Sequence, residues 1–408
     1  MNRTILKCGL LFTAEDEKVQ ENMAVVVEGN QIAKVAPWKE GEFQGEKVID
    51  LSNKFVMPGL IDAHVHVNMN GETSIDKMYK STAGEVTLWS MVHAQSDLMA
   101  GFTTIRDEGA MDFTDVALRD AINKGMVIGP RMFVSGVAIS STGGHGDGDF
   151  NPSVSGGTFG NIVNSPDEAR KAARYTFKYG ADQLKIMATG GVMSYGDEPG
   201  APELSFEEMK AALDIANSRG RISSAHAHGA AGIKNAIRAG ITSIEHGMLI
   251  DHEGMEMMKE YGTYLIPTII AAHRIVEFGK TGALAPWMVE KATLCLENHG
   301  EHLKEMVAMG VNIGFGTDSG TAFNPHGKQA FEFELMTRCG FTPAQALLSA
   351  TKVNSTLLKW HDRIGSIEEN KLADIAAFDG NPLKDIRDMT RCSFVMKDGV
   401  VYKQEEIA

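Results

Sequence analysis

The central region of this 408-residue chain alternates short apolar runs with stretches of helical periodicity. This rhythm extends over about residues 58–365. Apolar runs separated by helices are typical of a parallel sheet built from βα units. The eight runs lie at residues 60–67, 102–107, 132–139, 183–189, 222–228, 242–246, 263–269 and 312–318. Eight such units over about 300 residues predict an α/β chain with a (β/α)8 TIM barrel.

Capping residues support the helices between the runs. Ser165-Pro166 supplies an N-cap followed by proline at the first helical position. Ser205 and Glu208 form a capping-box pattern. Gly240 suits the left-handed residue that ends many helices. The predicted helices cover residues 80–99, 112–123, 167–179, 206–218, 230–239 and 287–309.

The two ends of the chain have a different pattern. Short β-rich pieces follow one another, and two turns, Gly29-Asn30 and Asp398-Gly399, carry hairpin signals. Because both ends are β-rich and flank the barrel region, we expect them to pair into one small β-sandwich. The predicted boundaries are residues 1–57 plus 366–408 for the β-sandwich domain and 58–365 for the barrel.

Composition narrows the possible partners. The net charge of −14 and the pI of about 5.4 leave no basic stripe for nucleic acid. The acidity favours solubility, and an acidic field would also favour cationic substrates. No apolar stretch approaches 18 residues, so no membrane span is expected. Four cysteines without a C-x-x-C pair fit a reducing, cytoplasmic location.

His64-Val65-His66 lies at the end of the first run. Residues i and i+2 of a strand point to the same face, so both imidazoles would project together. Two convergent imidazoles can begin a metal site, because histidine is the commonest metal ligand. By itself this pattern is more often incidental than functional.

Other runs end in residues that could complete such a site. Each has an ordinary explanation: a lysine reaching solvent, a hydrogen-bonded histidine, or an aspartate in a turn. Their occurrence together at the ends of strands four, five, six and eight favours a joint site, because TIM-barrel sites assemble at that face. A buried Lys185 could also be carboxylated to a carbamate that bridges two metal ions. The additional candidates are Lys185, His226, His228, His246 and Asp318, and nitrogen and oxygen ligands of this kind suit zinc.

The connection at residues 140–164 is rich in glycine and serine and too long for a simple βα loop. Its position after the third run, at the face where barrel sites lie, favours an active-site lid. The same connection carries His145, whose glycine neighbours would allow a close approach to the site.

These motifs resemble those of the amidohydrolase superfamily. The resemblance extends over essentially the whole chain and includes Lys185 and the segments at residues 58–66, 226–229, 244–247, 316–320 and 371–378. The segments at residues 102–109 and 187–194 resemble the prolidase-like group of metal-dependent dipeptidases and carboxypeptidases, which includes Xaa-Arg and Xaa-Lys dipeptidases and is related to imidazolonepropionase.

The resemblance implies two divalent metal ions, with zinc expected, and a carboxylated Lys185 that bridges them. One ion would be held by His64, His66 and Asp318, and the other by His226 and His246. Asp318 would also transfer the proton during catalysis, His145 would bind the reacting carbonyl, and His228 would bind the substrate carboxylate. Relatives of this kind often form homo-oligomers, so one is expected here.

The resulting prediction is a binuclear hydrolase of dipeptides or N-acyl amino acids, with a preference for a basic C-terminal residue. The alternative is a cyclic-amide hydrolase or deaminase of the imidazolonepropionase type. Deaminases usually carry an acid three residues after the strand-five histidine, where this chain has Gly229, and they generally lack the lysine found here at Lys185. A non-catalytic scaffold is the third reading, and the complete ligand set argues against it.

Overall fold

The computed structural model describes residues 3–148 and 160–405 of the chain. The strands of this part are β1 (Arg3–Phe12), β2 (Val19–Glu28), β3 (Gln31–Pro37), β4 (Lys47–Pro58), β5 (Leu60–Val65), β6 (Phe102–Asp107), β7 (Arg131–Val134), β8 (Ala138–Ser140), β9 (Gly160–Ile162), β10 (Leu184–Met187), β11 (Ser223–Gly229), β12 (Ser243–Leu249), β13 (Tyr264–Ile266), β14 (Ile375–Asp379), β15 (Cys392–Lys397) and β16 (Val400–Gln404). Its α-helices are α1 (Asp76–Tyr79), α2 (Ala83–Met99), α3 (Thr114–Asn123), α4 (Pro166–Lys178), α5 (Phe206–Ser218), α6 (Ala230–Ala239), α7 (His252–Tyr261), α8 (Ile269–Phe278), α9 (Pro286–Leu296), α10 (His299–Met309), α11 (Phe331–Arg338), α12 (Pro343–Leu348) and α13 (Asn354–Leu357).

The two ends of the chain meet in one sheet, in the order β16-β15-β14-β4-β1-β2-β3. Strand β4 lies at the junction, since it pairs parallel with β1 and antiparallel with β14. Both predicted hairpins are present, between β2 and β3 and between β15 and β16. Asp398 and Gly399 both have positive φ, as a tight hairpin turn of this sequence requires. The predicted pairing of the termini is therefore observed.

The strands of the middle region form two parallel groups, β5-β6-β7 and β13-β12-β11-β10-β8-β9. The predicted third run is divided in two. Its first part, β7, pairs with β6, and its second part, β8, pairs with β10. Gly136 lies between the parts with a φ of 60°. The chain therefore passes from one group to the other within a single predicted strand.

The predicted eighth run, residues 312–318, is not a strand. Ile313 forms an isolated bridge to Leu265, and Ser319, the residue after the run, forms one to Val65. Backbone bonds reach both groups, since Gly314 donates to the Leu265 carbonyl oxygen and Ala63 donates to that of Phe315. The Asn354 amide adds bonds to the carbonyl oxygens of Ile61 and Phe315. The described residues therefore show two sheets joined by this segment, where the repeat predicts one continuous eight-stranded barrel.

Two predicted helices, α5 and α6, have the predicted bounds, and the capping box of Ser205 and Glu208 is formed. The prediction of one helix over residues 287–309 is wrong. α9 ends at Leu296 and α10 begins at His299, so the break lies at Glu297-Asn298. Asparagine has a low helix propensity, which favours a break at this position. The predicted helix at residues 80–99 also begins later, at the capping box of Thr82.

Part of the predicted lid, residues 149–159, lies outside the described residues. The described end of that connection forms β9, which pairs with β8. Among the described residues, every helix is too short or too polar to cross a bilayer. All four cysteines are present as free thiols.

Candidate metal centre

The predicted ligands lie on the parallel strands or in the segments that follow them. His64 is on β5, Lys185 on β10, His226 and His228 on β11, and His246 on β12. His66 follows β5 directly, and Asp318 lies in the segment that bridges to it. These residues therefore come from neighbouring parallel strands, with Lys185 near the start of β10.

Three of these residues already have metal-binding spacing. One ligand atom from each of His64, His246 and Asp318 lies within 4.8 Å of the others. Asp318 Oδ1 is 3.4 Å from Nε2 of both His64 and His66. The ring of His226 lies beside that of His246, with centroids 4.7 Å apart. His246 thus lies close both to His226 and to the group of His64 and Asp318, with its ring centroid 5.1 Å from that of His64.

Hydrogen bonds outside the centre hold these rings so that the other ring nitrogen faces inward. Nδ1 of His64 lies 2.7 Å from Glu245 Oε2, and Nδ1 of His66 lies 3.3 Å from the Gly109 carbonyl oxygen. Since carboxylates and carbonyls only accept, both rings donate from Nδ1 and turn Nε2 toward the centre. His226 is reversed: its Nε2 lies 3.2 Å from the Gly190 carbonyl oxygen, which leaves the lone pair on Nδ1.

Burial keeps most of these rings neutral. It lowers the pKa of His66 to about 4. Burial and the neighbouring histidines hold the pKa values of His226 and His246 well below the ordinary range. His64 differs, because the Asp318 and Glu245 carboxylates outweigh burial and the Lys185 charge and raise its pKa to about 9. A metal ion bound at His64 would therefore displace a proton. The donor set, with its oriented lone pairs, fits a divalent ion such as zinc.

Lys185 is buried in an ionic network that the sequence analysis missed. Its Nζ lies 3.2 Å from Glu108 Oε2, and its side chain is 2% exposed. Arg106 lies 2.8 Å from Glu108 and 2.9 Å from Glu245, with all three side chains fully buried. Charged residues are rarely buried without partners, so acidic and basic residues inside the apolar runs were the available signal. The network connects the lysine to the carboxylate that orients His64.

Two site residues have an unusual backbone. His246 has a φ of 71° and Asp318 a φ of 56°, in the left-handed region that residues other than glycine rarely adopt. Successive side chains of a regular strand point to opposite faces. Glu245 points toward His64, so on a regular strand the next side chain would point away. The left-handed backbone at His246 turns its imidazole toward His64 as well. Strain of this kind is characteristic of functional sites.

The two remaining candidates border the centre. His145 stacks on His226 with centroids 4.1 Å apart, and its backbone N–H donates to Glu203 at 2.6 Å. His228 is buried and stacks on His246 at 5.0 Å. Within the described part of the chain, Nδ1 of His228 has no hydrogen-bond partner. It is therefore available to a bound molecule.

Known proteins with the same fold and site region identify the class. Residues 55–402 match the sequence profile of the Amidohydrolase family. The ochratoxinase of Aspergillus niger is 31% identical over 440 aligned residues, covering 98% of this chain and 86% of that enzyme. A crystal structure of a Xaa-Pro dipeptidase with methionine bound in its active site is 36% identical, with a TM-score of 0.92 and coverage of 98% and 100%. A prolidase complexed with N-methylphosphonate-L-proline is 31% identical, with a TM-score of 0.90 and coverage of 99% and 100%.

The chain therefore belongs to the Amidohydrolase family. It is a hydrolase that acts on C–N bonds in small molecules, which confirms the family predicted from the motifs.

Proposed function

We propose that this enzyme is a binuclear metal-dependent hydrolase that cleaves the amide bond of dipeptides or N-acyl amino acids. The observation that carries this proposal is the convergence of histidine lone pairs and Asp318 at one buried edge, with Lys185 beside them. The similarity to an ochratoxinase and to a Xaa-Pro dipeptidase supports an amide substrate.

His64, His66 and Asp318 would hold one ion, and His226 and His246 the other. A carboxylated Lys185 would bridge the two, in place of its present ion pair with Glu108. We expect zinc, because the ligands are imidazoles and carboxylates. When bound, such ions lower the pKa of water to about 7 and polarise a carbonyl group.

The side chains supply the remaining steps. Asp318 takes the proton of the attacking water and delivers it to the leaving amine as a general acid. His145 lies at the border of the centre, where it can bind the reacting group. His228, with an unpartnered Nδ1 in the described part of the chain, is placed to bind the carboxylate of the released amino acid.

The other readings have less support. A mononuclear deaminase usually carries an acid where this chain has Gly229, and it generally lacks the lysine found here at Lys185. A non-catalytic scaffold would not need the oriented lone pairs. A basic C-terminal residue remains our preferred specificity on the ground of the acidic charge of −14.

The architecture completes the proposal. The two parallel groups and the bridging segment at residues 312–318 would form the wall of a TIM barrel (residues 58–365). The sheet of both termini, residues 1–57 plus 366–408, would form the β-sandwich domain. We propose a homo-oligomer in the cytoplasm, the compartment that suits four free thiols.

A substrate panel tests the function. Zinc-loaded enzyme is incubated with dipeptides that end in arginine, lysine, proline, methionine, phenylalanine or aspartate, with N-acyl amino acids, and with aminated heterocycles. Release of free amino acids is expected. Ammonia release from the heterocycles alone would overturn the proposal in favour of a deaminase. Cleavage confined to neutral or acidic C-terminal residues would retain the amide hydrolase and refute the basic preference.

A further inference from the structure

A chain of side chains leads from His145 away from the metal centre. Nδ1 of His145 lies 2.7 Å from Ser194 Oγ, and Ser194 Oγ lies 2.6 Å from Asp197 Oδ2. Asp197 in turn lies 2.9 Å from Nζ of Lys291, on α9. The side chains of Asp197 and Lys291 are 5% and 12% exposed. These contacts form a buried path from the border of the centre to a neighbouring helix.

The carboxylate of Asp197 fixes the direction of the hydrogen bonds that connect it to His145. Burial raises the pKa of Asp197, but hydrogen bonds from Ser194, Lys291 and Gly191 outweigh it and hold the pKa below its ordinary value. An ionised carboxylate only accepts, so the Ser194 hydroxyl must donate to Asp197. Its oxygen then accepts from His145, which must carry its proton on Nδ1.

The loop at residues 191–197 is itself held rigidly. Lys291 donates to the carbonyl oxygens of Gly191 and Ser194, at 3.3 and 3.0 Å, as well as to Asp197. Gly191 donates from its backbone to Asp197 Oδ2 at 2.8 Å. A Cβ at Gly191 would lie 2.1 Å from Nδ1 of His145, so this position must be glycine for the ring to fit. The imidazole is thus held between the loop and His226, on which it stacks.

We infer that Ser194, Asp197 and Lys291 are positioning residues that lock His145 as the Nδ1–H tautomer, with Nε2 as a hydrogen-bond acceptor toward the reacting molecule. A neutral His145 in this state accepts an N–H or O–H of the substrate or of water. The resemblance to amidohydrolases implies that His145 binds the reacting carbonyl. In that role a neutral ring would need its proton on Nε2. The role of Nε2 in catalysis rests on the proposed function. The tautomer of His145 does not.

The tautomer can be measured without turnover. Two-bond ¹H–¹⁵N spectra of the zinc-loaded enzyme would be assigned to His145 by their loss in His145→Gln. A protonated Nδ1 and an unprotonated Nε2 are expected. Ser194→Ala should weaken the preference for Nδ1, because it removes the oxygen that accepts the Nδ1 proton. The control is Ser218→Ala on α5, whose exposed hydroxyl donates to the Ile215 carbonyl oxygen. A wild-type ring protonated on Nε2, or an unchanged ring in Ser194→Ala, would overturn the inference.

Kinetics on a cleaved amide test the positioning role. Ser194→Ala removes the link and leaves Asp197 its bonds to Gly191 and Lys291. We expect kcat to fall about 10- to 100-fold, while KM and zinc content stay near wild type; a general acid or base itself contributes roughly 100- to 10,000-fold. In a His145→Ala background the same change should have no further effect, since the two residues act as one unit. Additive losses of kcat in the double variant, or a loss of zinc in Ser194→Ala, would contradict the positioning role. If wild type cleaves no amide, the proposed function fails, and the spectra still decide the tautomer.

Discussion

Glu245 and His64 lie on different strands, and Glu245 Oε2 accepts a hydrogen bond from His64 Nδ1 at 2.7 Å. This contact turns the other ring nitrogen toward Asp318, 3.4 Å away. Arg106 donates to the second oxygen of Glu245 at 2.9 Å, so the carboxylate is itself fixed. The orientation of a predicted metal ligand thus depends on a fully buried ion pair.

We expect Glu245→Gln to weaken zinc binding about 10- to 100-fold, because a neutral amide is a poorer acceptor for the His64 N–H and leaves Arg106 with one partner fewer. Competition with a chromophoric chelator measures the affinity. Glu253→Gln on the surface helix α7, 60% exposed, is the matched control. An affinity equal to that of wild type would show that the carboxylate does not orient the ligand.

Lys185→Ala should reduce the bound zinc from two ions to one or none, because the proposed bridge is lost. Metal content is measured by elemental analysis of dialysed protein, and thermal unfolding checks that the fold survives. Lys210→Ala, which removes an exposed lysine paired with Asp214, is the control and should retain both ions. Two bound ions with full activity in Lys185→Ala would refute the bridging role.

Arg131 joins the parallel strands to the terminal sheet. It forms an ion pair with Asp374, and its Nη2 lies 2.8 Å from Asp398 Oδ1. Arg131→Met leaves the Asp374 carboxylate, 4% exposed, without its cation. Unfolding free energy should therefore fall by about 3–5 kcal/mol, as measured by urea denaturation. Lys34→Met breaks an exposed pair with Glu42 and should cost less than about 1 kcal/mol. Equal effects of the two substitutions would contradict the prediction.

Glu332 predicts a pH dependence of stability. Burial raises its pKa from 4.5 to about 8, although its oxygens accept from the N–H groups of Ile269 and Ile270 at the start of α8. The folded state therefore binds more protons than the unfolded state between these two values. The contribution of this group is complete below pH 4.5 and falls as pH rises toward 8, by at most about 1.4 kcal/mol per pH unit.

Glu332→Gln cannot titrate, so the difference in unfolding free energy between wild type and variant should shift in favour of the variant as pH rises from 5 to 8. Urea denaturation at each pH measures it. Glu301→Gln, exposed on α10, should follow the wild-type curve. Parallel curves for wild type and Glu332→Gln would exclude Glu332 as the titrating group.

The centre could be predicted because its residues occur at strand ends in a parallel sheet, where sequence spacing translates directly into position. The hairpins could also be predicted, because a turn such as Asp398-Gly399 is determined by the backbone preference of its own two residues. The network of Arg106, Glu108 and Glu245 could not be predicted, because these residues meet only after β6 and β12, which belong to different sheets, come together. The irregular backbone of the eighth run, residues 312–318, could not be predicted for a similar reason. It meets the neighbouring strands only through isolated bridges and single backbone bonds, which no periodic pattern reveals.

The position of β4 has a consequence for synthesis on the ribosome. One edge of β4 pairs with β1 at once, but the other pairs with β14, where Pro58 meets Ile375. At about 5–20 residues per second, translation separates those two residues by roughly 15–60 s. Throughout that interval the nascent chain carries an uncovered strand edge, which is a template for pairing with neighbouring polypeptides. The yield of native enzyme thus depends on how well that edge is shielded until the last strands emerge.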